Sequence, residues 1–474
     1  MAKWKRLASQ IAFREIPRLK MVKAEHLASG IYRLGGHEHE IVAMAKKLEW
    51  YMDFVDRRHR PSKDELLAVF KARPSAEFSA DEAAGRVASE SSVGTWTTLT
   101  TLTSKVREIM AHAYREEGDY VFISYPEELF ELGNMPQVMS SIAGNVFGMK
   151  ALRSLRLVDV YWPEAMVKSF RGPGYGIHGV RAFMKVAKRP LTASVPKPKL
   201  GLTYREHAQH GYEAWVGGLD LLKDDENLTS QNFNSFNERA TETFRLRDKA
   251  EKETGERKSY LINVTAETKE MERRAKLVKD LGGEYIMIDV LTAGWAALQT
   301  LRETAGDLGL AIHAHRAFHA AFTRNPNQGM SMVVVAEICR LLGVDQLHIG
   351  TVIGKLEASK AEVKTIQSKI TEDSTPGSGQ VLPNDWRGMK PVFPVSSGGL
   401  HVGMLPALFD ILGTNVVVQL GGGIWGHPSG GRAGAKALRD AIDACLSGTT
   451  LQEYAKKSPE LRKALERWGT SSYR

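Results

Sequence analysis

The chain has 474 residues, 43% of them hydrophobic, more than a single core usually supports, so two domains, or a barrel with an added domain, are expected. No uninterrupted apolar run of about eighteen residues occurs, and Met1–Arg18 is basic and amphipathic without a signal-peptide apolar region, so neither membrane insertion nor secretion is expected and a cytoplasmic enzyme fits. Cys339 and Cys445 sit in apolar helical patterns as buried structural thiols, which excludes a disulfide framework, and the net charge of +9 comes from basic residues interleaved with acids, which argues against nucleic acid and for an anionic substrate.

Residues 1–185 mix helix and strand signals without a regular repeat and read as an α+β N-terminal domain. His37-Glu38-His39-Glu40 looks superficially like a metal motif but lacks the i, i+4 histidine spacing that puts two ligands on one helix face, so it reads as a solvated turn. From Leu191 onward short apolar, often β-branched runs alternate with longer helical patterns, the signature of repeated βα units. Eight such runs occur: Leu191–Val195, Leu219–Leu222, Tyr260–Val264, Tyr285–Asp289, Leu310–His313, Gln346–Ile349, Val392–Val395 and Val416–Leu420. Eight strands close a (β/α)8 barrel, here assigned to residues 186–445 of an α/β fold. The charged stretch from Ala358 to Asn384 reads as the sixth helix followed by a flexible loop at Ser374–Gly379. A helical, charged tail, 446–474, is expected to pack outside the barrel.

Barrel enzymes build their sites from the loops at the C-terminal ends of the strands. The polar residues there are Lys197 and Lys199 after the first run, Lys223-Asp224-Asp225-Glu226 after the second, and His313, His315 and Arg316 at the fifth. Lys355 follows the sixth, Ser397-Gly398-Gly399 the seventh and Gly421-Gly422-Gly423 the eighth. Clustered carboxylates are hard oxygen donors and imply Mg2+. The two glycine clusters can offer backbone N–H groups to phosphate, and Arg316 can hold a second phosphate in fork geometry, so the substrate expected is a bisphosphate. With His319 one helical turn on, the histidines are candidates for proton transfer near neutral pH.

The string Gly217-Gly-Leu-Asp-Leu-Leu-Lys223-Asp-Asp225-Glu226-Asn resembles the activation motif of ribulose bisphosphate carboxylase/oxygenase (Rubisco) large subunits. Lys197-Pro-Lys199-Leu-Gly, His313-Ala-His315-Arg316-Ala-Phe-His319, Gly350-Thr-Val-Ile-Gly-Lys355-Leu-Glu, Ser397-Gly-Gly-Leu-His401 and Gln419-Leu-Gly-Gly-Gly-Ile-Trp-Gly-His427-Pro resemble further motifs of that family. In the N-terminal part Glu90-Ser-Ser-Val-Gly-Thr95-Trp96-Thr97 and Gly144-Asn145-Val-Phe-Gly do the same, so the resemblance runs from about Pro61 to Pro428.

The resemblance implies a chemistry. Lys223 takes up a non-substrate CO2 as a carbamate that joins Asp225 and Glu226 around Mg2+, and that carbamate is the base toward the third carbon of ribulose-1,5-bisphosphate. Lys197 and His315 handle later protons. Lys355, on a closing loop and positioned by Glu90, meets the incoming CO2 or O2. Thr95, Trp96, Gly399, Gly421 and Gly422 are implied at one phosphate and Arg316 with Ser397 at the other, with Asn145 at the metal side and Lys199 and Gly398 lining the site. Because Glu90, Thr95 and Asn145 belong to the N-terminal domain, which a partner subunit supplies in the family, a homodimer is the implied minimum, with higher oligomers open. Two departures are read here: Gln328 is taken to stand where the family has a phosphate-binding histidine, and Val195 where threonine is usual, which predicts weaker bisphosphate binding. The motif variants resemble form III and form II/III members, whose substrate comes from nucleotide (AMP) salvage. The rival within the family is a Rubisco-like protein that enolises or isomerises a related sugar phosphate; retention of Lys197, Lys223, Arg316 and Lys355 argues for the carboxylase. A basic nucleic-acid-binding barrel leaves the acidic cluster and the glycine clusters without a role.

Overall fold

The computed structural model describes residues 50–353 and 359–470, so the reading of His37–Glu40 and the placement of Lys355 lie outside the described residues. In the N-terminal part β1 (Leu66–Pro74), β2 (His112–Glu117), β3 (Tyr120–Tyr125) and β4 (Leu152–Tyr161) form a sheet, which β10 (Gly329–Met330) completes from far along the chain in the order β10-β4-β1-β3-β2. β1 pairs antiparallel with both β3 and β4, while β10 lies parallel to β4. β1 reads Leu-Leu-Ala-Val-Phe-Lys-Ala-Arg-Pro, β-branched and aromatic enough to sit buried at the centre of the sheet. The helix Ala80–Glu90 starts on a capping box in which Ser79 and Glu82 satisfy each other's backbone N–H groups, and it buries Ala83, Ala84, Val87 and Ala88 against the sheet.

The barrel is closed by eight parallel strands: β5 (Leu191–Ser194), β6 (Leu221–Lys223), β7 (Ser259–Asn263), β8 (Tyr285–Asp289), β9 (Ala311–His315), β11 (Gln346–His348), β14 (Phe393–Ser397) and β15 (Val417–Leu420). All eight expected runs are present, so the α/β architecture of barrel plus N-terminal domain holds. Three boundaries differ in one way: Lys223, His315 and Ser397 are the last residues of their strands, not the first of the following loops. A polar side chain pointing into the mouth still obeys the strand's alternation, and the sequence pattern hides this because polarity ends the apolar run.

The barrel interior is filled by Leu191, Ala193, Leu221, Leu261, Met287, Ala311, Phe393, Val395 and Val417, with Ile177, Val180 and Met184 of the helix Gly176–Met184 in the same cluster. Asp345 fixes that helix by accepting the backbone N–H groups of Tyr175 and Gly176. Residues of the opposite parity, Leu222, Tyr260, Ile262, Ile286, Ile288, Ile312, Leu347 and Val418 among them, pack outward on the helices.

The segment after the helix Lys360–Thr371, expected as a flexible loop, folds back as a ribbon of β12 (Ser374–Thr375) and β13 (Asn384–Asp385). Fully buried Arg340 holds its base by donating to the carbonyls of Lys369, Glu372 and Met389. In the tail, Leu451, Leu461 and Ala464 enter the main core. Cys339 is buried as expected, but Cys445 is only half-buried because it lies near the exposed end of the helix Gly430–Leu446. Among the described residues no helix is long and apolar enough to cross a membrane.

Candidate active site

The alternation that packs the barrel also builds the site. Two residues beyond the inward-facing Leu221, Leu261, Met287, Ala311 and Val395 stand Lys223, Asn263, Asp289, His313 and Ser397. The interior is thus apolar at one end and polar at the C-terminal end of the strands, where catalytic groups of such barrels sit.

Lys223 is 1% exposed and its Nζ donates to the Asp224 carbonyl at 2.7 Å. Burial drives its pKa down from the ordinary lysine value, against the pull of Asp289, Asp225, Glu226 and Asp224. Asp224, first grouped with the metal-binding acids, faces the opposite way because neighbouring residues alternate. Its carboxylate is fully buried, accepts from Arg239 at 3.2 Å, from the Asn263 N–H at 2.9 Å and from Tyr260 OH, and lies 3.2 Å from His207 Nε2. Burial opposes its charge, but Arg239, His207 and Tyr260 hold its pKa at about 2.

Asp225 and Glu226 face the mouth. Lys197 is ion-paired to Asp225, and Lys199 Nζ lies 2.6 Å from Glu226 Oε1 and 3.4 Å from Asp225 Oδ1. Burial raises the Asp225 pKa. Burial also opposes the charge of Glu226, but its hydrogen bonds with Asp225 and Lys199 hold that carboxyl well below the usual range. Two ammonium groups therefore lie on the oxygens a hard cation would take. Among the described residues no group of three or more His, Cys, Asp or Glu side chains is preassembled for a metal. Two carboxylates fit Mg2+ chemistry but are few for it, and Lys223, two residues from Asp225 along the same face, is the group that could furnish a third oxygen donor.

His315 Nδ1 lies 2.9 Å from Asp289 Oδ1, and its Nε2 lies 4.0 Å from Glu226 Oε2. Burial, then the Lys223 charge, lowers its pKa, so the ring is neutral near pH 7. His313 faces inward and meets Gln346 and His348; His319 turns to Thr323 Oγ1 at 2.9 Å, its pKa lowered to about 3 by burial and the Arg316 charge. Asn263, Asp289 and His348 were missed in the sequence. The signal that finds them is the continued two-residue step from the apolar inward positions.

Arg316 is 8% exposed, and its guanidinium makes no hydrogen bond or ion pair with a described side chain. Burial lowers its pKa to about 10, so it stays charged at neutral pH, an unneutralised cation at the mouth suited to an anion. Gly398 and Gly399 have φ of +118° and +76°, conformations that a side chain would strain. A Cβ on Gly421 would approach the Lys197 side chain to 3.3 Å, so the eighth-strand glycines border the Lys197 side of the site. Val195 is buried.

Other expected site residues are placed elsewhere in this chain. Gln328 precedes β10, and its Oε1 accepts the Leu155 N–H of β4 at 3.0 Å, so its amide oxygen serves the joint to the N-terminal sheet. Glu90 ends the helix Ala80–Glu90, the Thr95 carbonyl accepts from Trp50 Nε1 at 3.0 Å, Trp96 is 67% exposed, and Asn145 is exposed on a short 3-10 turn. Among the described residues, no hydrogen bond joins Glu90, Thr95 or Asn145 to the barrel.

Comparison with known proteins gives one consistent result. The ribulose bisphosphate carboxylase large-chain catalytic domain matches residues 176–468, and the N-terminal domain of the same large chain matches residues 53–166. The chain is 52% identical over 427 residues to a ribulose bisphosphate carboxylase of Pyrococcus abyssi, covering 89% of this chain and 98% of that one. It superimposes on a dimeric archaeal Rubisco from Hyperthermus butylicus with a TM-score of 0.85 at 50% identity, covering 89% and 99% of the two chains. An octameric Rubisco of Pyrococcus horikoshii in complex with sulfate gives a TM-score of 0.84 at 50% identity, covering 90% and 98%.

Proposed function

Because the chain belongs to the ribulose bisphosphate carboxylase large-chain family, we propose that it carboxylates ribulose-1,5-bisphosphate at the mouth of its barrel, giving two molecules of 3-phosphoglycerate, with O2 as the competing reactant. The observation that carries this reading is Lys223: a buried amine with a lowered pKa, two residues from the Asp225-Glu226 pair that faces the mouth. A neutral amine is the form that attacks CO2, and carbamylation turns a cation into an anionic oxygen ligand beside two carboxylates. Mg2+ held by that carbamate, Asp225 and Glu226 would supply Lewis-acid stabilisation of negative charge on the sugar oxygens.

The chain's own residues do the rest. Arg316 takes one phosphate, and the amides of Gly399, Gly421 and Gly422 take the other, with Thr95 and Trp96 closing over it. Two such anion sites at one mouth would suit a bisphosphate. Lys197, already against Asp225, is placed to deliver a proton to the product. His315, neutral and oriented by Asp289, is placed to accept a proton from a sugar hydroxyl. Lys199 keeps positive charge at the rim, and Lys355, positioned by Glu90, supplies the cation opposite the incoming CO2. Since Glu90, Thr95 and Asn145 make no bond to their own barrel among the described residues, a homodimer in which each N-terminal domain completes the other copy's mouth accounts for them. Substrate supply by nucleotide (AMP) salvage in a cytoplasmic setting is part of the same proposal, resting on the motif variants alone.

The deciding experiment measures incorporation of labelled CO2 into acid-stable product from ribulose bisphosphate after preincubation with bicarbonate and Mg2+, beside Lys223→Ala. Incorporation lost in the variant supports the reading. None in the folded wild type gives the site to enolisation or isomerisation of a related sugar phosphate.

A further inference from the structure

A continuous file of buried hydrogen bonds runs up the barrel interior. Gln346 Nε2 lies 2.8 Å from Tyr285 OH, and Gln346 Oε1 lies 2.9 Å from His313 Nδ1. His313 Nε2 lies 3.0 Å from His348 Nε2, and His348 Nδ1 lies 2.6 Å from Ser397 Oγ at the mouth. Tyr285, Gln346, His313 and His348 are at most 3% exposed, so solvent does not reorganise the file.

Such a file has one direction at a time. An amide oxygen only accepts, so His313 carries its proton on Nδ1. A neutral imidazole then offers a lone pair at Nε2, which requires the proton of His348 to sit on its Nε2. That leaves His348 Nδ1 as an acceptor, and Ser397 must donate to it. The last link, 2.6 Å, is within reach of a Ser397 O–H donating to His348 Nδ1. His315 packs its ring 4.8 Å from that of His348 but bonds to Asp289, so it stands outside the file.

We propose that Gln346 is a positioning residue that sets this direction, fixing His313 as the Nδ1–H tautomer and His348 as the Nε2–H tautomer, and thereby turning the Ser397 proton inward and its lone pairs toward the substrate. Ser397 then receives a hydroxyl group of the sugar instead of donating to a phosphate, which reassigns it from the anion site read in the sequence. The identity of the sugar rests on the carboxylase reading; the direction of the file does not.

Neutron diffraction from the deuterium-exchanged wild-type protein tests the direction. Deuterium on His313 Nδ1 and His348 Nε2, with the Ser397 deuteron toward His348, is expected. Deuterium on His313 Nε2 and His348 Nδ1, the file with the amide turned end for end, overturns the proposal, as does an imidazole deuterated on both nitrogens. Kinetics test the consequence. Gln346→Met, similar in volume but without the acceptor, should raise KM for ribulose bisphosphate about tenfold, the worth of one hydrogen bond, with kcat changed much less. Combined with Ser397→Ala it should add nothing beyond Ser397→Ala alone. An unchanged KM, or fully additive effects, removes the link to Ser397. If Gln346→Met does not fold, the nuclear density of the wild type still decides. If the wild type does not turn over ribulose bisphosphate, the carboxylase reading fails while the direction stays measurable.

Discussion

Lys369 is the sharpest point at which to perturb the joint between the two domains. Its ammonium is fully buried, 3.0 Å from Asp159 Oδ2 of β4, 2.9 Å from Glu337 Oε1 of the helix Met332–Leu342 and 2.9 Å from the Leu382 carbonyl. Two ionised carboxylates and one ammonium would leave a net buried charge. Burial, reinforced by Asp159, pushes the Glu337 pKa up to about 8, so near pH 7 the triad is neutral: charged Lys369, ionised Asp159 and protonated Glu337. Lys369→Met strands Asp159, and removing one partner of a buried pair costs about 3–5 kcal/mol. With an unfolding entropy near 1 kcal/mol/K for 474 residues, that is a fall in Tm of about 3–5 °C. Glu337→Gln keeps shape and neutrality and should cost less than about 1 kcal/mol at pH 7. The folded-state pKa of Glu337 lies above its unfolded value, so its contribution is complete below about pH 4.5 and is lost as pH rises through about 8. Relative to Glu337→Gln, the wild type should lose up to about 1.4 kcal/mol per pH unit across that window. Scanning calorimetry of wild type and both variants from pH 5 to 9 measures both effects. A Glu337→Gln variant as damaged at pH 7 as Lys369→Met, or a wild type and a Glu337→Gln variant with parallel pH curves, refutes the protonated triad.

Three further outcomes are expected. Burial lowers the Lys223 pKa while Asp289 leads the opposing charges, so Asp289→Asn should shift the midpoint of the pH dependence of CO2 activation downward; an upward shift in activation rate profiles contradicts the assignment. Arg316→Lys loses the fork but keeps the charge and should raise KM for ribulose bisphosphate about tenfold or more, the value of a charge-assisted hydrogen bond, with kcat less affected. Mixing unfolded and refolded Glu90→Gln chains with Lys223→Ala chains should restore carboxylation that neither has alone, since a mixed dimer holds one intact site; no restoration in a mixture shown by mass to contain mixed dimers argues against shared sites.

The barrel was legible because each of its eight strands is a short apolar run with a helical pattern behind it. The β10 pairing was not, because two residues, Gly329 and Met330, join a sheet whose other strands lie more than 160 positions earlier, and no local pattern announces so distant a partner. The ribbon Ser374–Asp385 was lost for a related reason: its glycines and proline read as a free loop, whereas the buried Arg340 that pins its base comes from another helix. In the site, Lys223, Asp225, Glu226, His315 and Arg316 could be named because their types are unusual at strand ends. Asp289 and His348 could not, since a lone acid or histidine ending an apolar run has an ordinary structural meaning until the register of the barrel puts it beside another.

That register also explains how one short string serves two purposes. Lys223 and Asp225 share a face, and Asp224 between them must point the other way, into the packing of β6 against its helices. There it would place a full negative charge beside Lys223 and favour the ammonium form that cannot attack CO2. Arg239, fully buried and 3.2 Å from Asp224, pairs with that charge, and Tyr260 and His207 take up further oxygen valences. Burial then outweighs the acids around Lys223, and the amine's pKa falls although four carboxylates lie within electrostatic reach. Arg239 pairs with Asp224 on the outward side of the string, so that acid is matched where it lies, while Asp225 and Glu226 keep their oxygens at the mouth.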